Sequence, residues 1–120
     1  MALITTVFAT VVAAELFYIM FLETFATTSK RTAAAFQMDQ RELGRYSVEA
    51  LFRNQGVYNG LLGVLILLAV YLFQDFVWTG IFMVYLILVS AYASLAGHPR
   101  IILLQGGLAV ITLACCLIWH

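Results

Sequence analysis

Two carboxylates, Glu15 and Glu23, lie eight residues apart inside an otherwise apolar N-terminal run. At about 1.5 Å of rise per residue, that spacing is about 12 Å along a helix and keeps both on one broad face, so both are expected to point inward in a bundle. A charged carboxylate at bilayer depth costs at least about 3 kcal/mol, so each must be protonated, paired or hydrated. Glu15 falls near the middle of the run. Glu23 falls near its polar end, where Arg53 or Arg100 is available to neutralise it. The chemistry such residues support is a proton or cation site; the structural alternative is a hydrogen-bond anchor.

A second constellation is the run Asn54-Gln55-Gly56-Val57-Tyr58-Asn59-Gly60. On a helix, Asn54, Gln55, Tyr58 and Asn59 occupy an arc of about 140°, with Gly56, Gly60 and Gly63 on a separate face. The amides and the phenol donate to a carboxylate and accept from an ammonium. The glycines suit close contact between helices, as in a Gly-x-x-x-Gly interface. Headgroup contact at a helix entrance explains Asn54 and Gln55, but less easily Asn59, a turn further in. Farther along, Gln105 adds another amide, and His98 is either a proton carrier near neutrality or a solvated turn residue beside Pro99 and Arg100. No metal site or cofactor is expected. Cys116 and His120 are four apart but lack further ligands, and the adjacent Cys115 and Cys116 build no disulfide framework.

The elements that must hold these residues are apolar. Hydrophobic residues make up 64% of the 120 and charged residues 10%, against about 25% charged in soluble domains. Net charge is zero, without a basic face, which argues against nucleic acid as a partner. Runs at about residues 2–26, 56–73, 76–96 and 101–119 each approach the roughly 20 residues needed to cross a bilayer. None alternates with period two, so a barrel is not expected. The fold class is therefore an all-α polytopic membrane protein: a four-transmembrane-helix bundle forming a single domain over residues 1–120. The first run has no basic residue before it and carries Glu15, so it reads as a retained span rather than a secretory signal.

All six basic residues, Lys30, Arg31, Arg41, Arg45, Arg53 and Arg100, fall in loops or helix ends of one side. The positive-inside rule makes that side cytoplasmic, with residues 27–53 as a cytoplasmic loop and both termini outside. Within the loop, Phe36, Leu43, Tyr46, Ala50 and Val57 form the stripe of an amphipathic helix running into the second span. Thr27, Thr28 and Ser29 supply a break and cap before it, and Gly44 weakens its middle. Trp78 and Trp119 mark outer span ends. A compact bundle brings Glu23, Asn54, Gln55, Tyr58, Asn59, His98 and Gln105 around a cavity open to the cytoplasm, with Glu15 at its floor.

The runs Tyr18-Ile19-Met20-Phe21-Leu22-Glu23-Thr24-Phe25 and Asn54-Gln55-Gly56-Val57-Tyr58-Asn59-Gly60, together with Gln105, resemble a small bacterial membrane family of unknown function, number thirteen-oh-four in its series. The resemblance covers nearly the whole chain and implies a four-helix membrane protein. It gives more weight to Glu23, Asn54, Gln55 and Asn59 than to Glu15. The expected function is a small transporter or permease-like protein in the lipid bilayer of the cell membrane, as a homodimer, binding a small cationic or polar solute. The alternatives are a membrane enzyme acting on a lipid-like substrate, with Glu23 and His98 as acid and base, and a non-catalytic membrane partner docking through its glycine face.

Overall fold

Long apolar runs without alternation fold as helix throughout. The computed structural model describes residues 1–96 and 100–119. Six helices follow one another in it: α1 (Leu3–Phe25), α2 (Lys30–Phe36), α3 (Gln40–Leu43), α4 (Tyr46–Leu72), α5 (Phe76–Leu95) and α6 (Arg100–Ile118). Helices α1, α4, α5 and α6 contain 23, 27, 20 and 19 residues and are long and apolar enough to cross a membrane. No strand occurs among the described residues.

The linker departs from the single amphipathic helix expected of it. Ser29 caps α2 by accepting from the Thr32 N–H at 3.1 Å. Gln37 then turns left-handed at φ 55°, and the N–H groups of Gln37 and Met38 close back on Ala34 and Ala33. This is the six-to-one, five-to-two pattern that ends helices. Asp39 starts α3 by accepting from the Arg41 N–H at 2.9 Å, and α4 begins at Tyr46, ten residues before the expected start of the second span. Caps and a left-handed residue thus prevail over the hydrophobic stripe. Phe36 and Leu43 are buried, while Tyr46, Ala50 and Val57 are exposed.

Helix α1 packs along α4 on one side and α6 on the other, and α5 packs along α6. The lateral order is therefore α4, α1, α6, α5. Ala9, Val12, Ala13 and Leu16 of α1 form the centre of the core, with Ile66 and Val70 of α4, Met83 and Leu86 of α5, and Ala109 of α6. A second cluster of Ile19, Leu22 and Phe36 seats the linker, with the Phe36 ring edge-on to Phe52 at 5.1 Å.

Small residues set the helix separations. A Cβ at Gly56 would collide with the Thr24 hydroxyl, one at Gly60 with the Met20 sulfur, and one at Gly63 would lie 3.1 Å from the Phe17 ring. The glycine face thus packs against α1 within the chain. Between α5 and α6, a Cβ on Gly106 would lie 2.6 Å from the Cβ of Ser90. Outside these seams the helices are apolar and open, and only about a third of the residues in the apolar stretch of each candidate span are buried. In water such a surface is an aggregation liability.

Candidate functional site

The last turn of α1, Phe21–Phe25, is a π turn, in which the Ala26 N–H reaches back five residues to the Phe21 carbonyl at 3.0 Å. Carbonyls freed at a helix end need other donors when water is excluded. Thr27 Oγ1 donates to the Glu23 carbonyl at 2.6 Å, and Thr32 Oγ1 lies 2.6 Å from the Ala26 carbonyl and 3.2 Å from that of Leu22. Both threonines are buried. The turn that carries Glu23 is therefore tied down by hydroxyls from beyond its own end.

Glu23 itself is 0% exposed. Asn59 Nδ2 donates to its Oε1 at 2.5 Å, whereas its buried Oε2 has no hydrogen-bond partner among the described residues. Neither expected arginine neutralises it. Arg53 pairs with Glu49 at 2.5 Å, one turn back along α4, and Arg100 lies exposed at the start of α6.

Asn59 also faces a cleft of about 510 Å³ between α4 and α5, which it lines with Gln55, Tyr58, Leu62 and Leu65 of α4, Phe82, Tyr85 and Val89 of α5, and Gln105 of α6. Gln105 is 5% exposed, and its Nε2 has no partner among the described residues, as is also true of Ser90 Oγ. The cleft exists because α4 and α5 come together mainly near their connection, where Leu68–Leu72 meets α5. A smaller pocket of about 300 Å³ shares Leu65 and Phe82 with it and reaches Asp75 and Trp78 there.

The cluster expected from sequence is thus assembled in part. Gln55, Tyr58, Asn59 and Gln105 share the cleft, and Glu23 lies behind Asn59. Asn54 is exposed and does not line it. Glu15 is half-buried, lies outside the cleft rather than at its floor, and has an Oε1 without a partner among the described residues. His98 and His120 lie outside the described residues. The polar arc and the glycine arc of α4 also abut instead of opposing each other, since Asn59 and the glycines both meet α1. Thr27 and Thr32 also belong to the site; in the sequence the Thr27-Thr28-Ser29 run signals only a break and cap, and Thr32 carries no signal of its own. Cys115 and Cys116 are buried thiols without a disulfide. No three His, Cys, Asp or Glu among the described residues are grouped to hold a metal.

A buried carboxylate held on one oxygen, with amides and phenols at an adjoining cleft, has the donors and acceptors to bind a cation or a polar group. The family described as "Protein of unknown function (DUF1304)" matches residues 10–117. The chain belongs to that family. A family relative from Lactococcus lactis subsp. lactis (strain IL1403), "Uncharacterized protein YpaA", is 46% identical over 114 residues, covering 94% of this chain and 96% of that protein. No solved structure matches the chain. The family match takes in Glu15, Glu23, the Asn54–Gly60 run and Gln105.

Proposed function

We propose that the chain is a multi-pass membrane protein of permease-like character whose α4–α5 cleft binds a small cationic or polar solute. Glu23 supplies the charge, and Asn59 and Gln105 supply the amide contacts. The observation that carries this reading is the buried Glu23 carboxylate, held by Asn59 on one oxygen and unpartnered on the other, directly behind a cleft-lining residue. An intramembrane acid is a functional candidate by default. The rings of Tyr58, Phe82 and Tyr85 in the cleft wall suit an organic cation, whose charge is attracted to aromatic faces.

In this scheme Asn59 is the gate to the charge. A cation that displaces its amide gains the carboxylate directly, and one that does not still feels the charge through a hydrogen-bonded amide. A proton and a cation compete for Glu23, so binding weakens as pH falls. All six basic residues lie at the end of the bundle that carries α2 and α3, and the positive-inside rule assigns that end to the cytoplasm and both termini to the outside.

The test is equilibrium binding of tetraethylammonium, and of a neutral alcohol of similar size, to purified protein across pH. Glu23→Gln is expected to lose cation binding and its pH dependence, and Glu15→Gln to keep both. Cation binding by Glu23→Gln equal to that of the parent protein rejects the site.

A further inference from the structure

At the end of the bundle that carries the linker, a groove of about 410 Å³ runs between α1, α2 and α6. Its walls are Tyr18 of α1, Ala34, Ala35 and Gln37 at the end of α2, and Arg100 and Leu104 of α6. Polarity is graded along it. Arg100 and Gln37 sit at helix ends, Leu104 lies one turn deeper on α6, and Tyr18 lies seven residues inside the end of α1. The small side chains of Ala34 and Ala35 leave the trough open.

Charge flanks the groove. Lys30 and Arg31 precede Ala34 and Ala35 by four residues each, which places them one turn away on the same faces of α2. Lys30, Arg31 and Arg100 are exposed, and none has an ion-pair partner among the described residues. Arg45 and Arg53, by contrast, are matched by Glu42 and Glu49. The nearby carboxylate of Asp39 is engaged in capping α3. Of the four basic residues without an ion pair among the described residues, Arg100 therefore lines the trough, Lys30 and Arg31 lie one helical turn from its walls, and Arg41 lies in α3.

We infer that this groove binds an anionic phospholipid. Its phosphate is met by Arg100 with Lys30 and Arg31, and one acyl chain lies along Leu104 and Tyr18. A guanidinium matches phosphate oxygens two at a time, and clustered basic residues beside a membrane-crossing helix are the usual recognition chemistry for such headgroups. The inference rests on membrane insertion but is independent of Glu23 and its cleft.

The experiment measures thermal unfolding and lipid retention of the detergent-purified protein with phosphatidylglycerol, phosphatidylcholine or glycerol phosphate added. Phosphatidylglycerol alone is expected to raise Tm and to be retained. Each basic residue contributes about fivefold to anionic-lipid affinity, so Lys30→Gln/Arg31→Gln/Arg100→Gln should lose well over tenfold in retention. Arg41→Gln, a charge removed elsewhere on the same surface, should lose little. Ala35→Trp keeps every cation but fills the trough, and should also lose retention. An equal shift with phosphatidylcholine, a shift with glycerol phosphate alone, or full retention in the triple variant overturns the proposal. Since the triple variant alters only exposed side chains, it keeps the test decisive even if Ala35→Trp does not fold. Loss of cation binding in Glu23→Gln with unchanged phosphatidylglycerol retention separates this site from the cleft.

Discussion

Asn59 joins the middle of α4 to the last turn of α1 through a single carboxylate oxygen, and that geometry dictates how substitutions at the pair must behave. Asn59→Ala strands a buried acid, and leaving a buried polar group unsatisfied costs about 1–3 kcal/mol or more. Replacing both partners by apolar groups of similar shape removes the penalty. Glu23→Leu/Asn59→Leu is therefore expected to be more stable than Asn59→Ala, and a double-mutant cycle from unfolding in detergent should give strong non-additivity. Additive effects in that cycle would show that the two side chains do not interact. That Glu23 needs an internal partner was legible in the sequence, because an acid near the end of an apolar run has few other fates. Which amide supplies it was not: Asn54, Gln55 and Asn59 spread over a wide arc of α4, and only the close approach at Gly56 and Gly60, which neighbour Asn59 on that helix, fixes which of them is turned against α1.

At the scale of elements, the helices themselves were readable and their ends were not. A left-handed Gln37, an early start at Tyr46 and a π turn at Phe21–Phe25 each depend on one or two residues and on tertiary contacts, which periodicity averages away. The π turn carries its own prediction. Thr32→Val keeps shape but removes the hydroxyl between the Ala26 and Leu22 carbonyls, and should cost about 1–3 kcal/mol in detergent unfolding. The helix seams predict an asymmetry between glycines. Gly106→Ala sets a methyl against the Cβ of Ser90, which moves only with its backbone, and overpacking of that kind costs about 1–3 kcal/mol. Gly60→Ala meets the Met20 thioether, a flexible chain able to move aside, so the loss there should be smaller. Equal losses at the two positions would mean that the seams yield equally.

At the scale of the whole molecule, four apolar helices were legible from composition and length, but their lateral order was not. Helices in which only a third of the residues are buried carry only a faint hydrophobic face, so little in the pattern says that α1 rather than α5 lies against α4. The alternating course of the four candidate spans predicts the outcome of surface labelling. In a variant with Cys115 and Cys116 replaced, single cysteines at Thr28 and Leu95 should react with an impermeant maleimide from one side of the membrane. Cysteines at Leu3 and Phe73 should react from the other. Labelling of Thr28 and Phe73 from the same side would overturn the four-span course.

The separation of α4 from α5 along most of their length has one further consequence. In cross-section the bundle is a letter C rather than an O, and Tyr58 and Tyr85, exposed by 69% and 55%, stand at its opening. With the chain inserted as proposed, a molecule already dissolved in hydrocarbon would meet that opening by two-dimensional diffusion without returning to water first. Supply to the proposed site would then be governed by an oil–water partition coefficient, and two solutes of equal charge would be told apart by their greasiness before any side chain touched them.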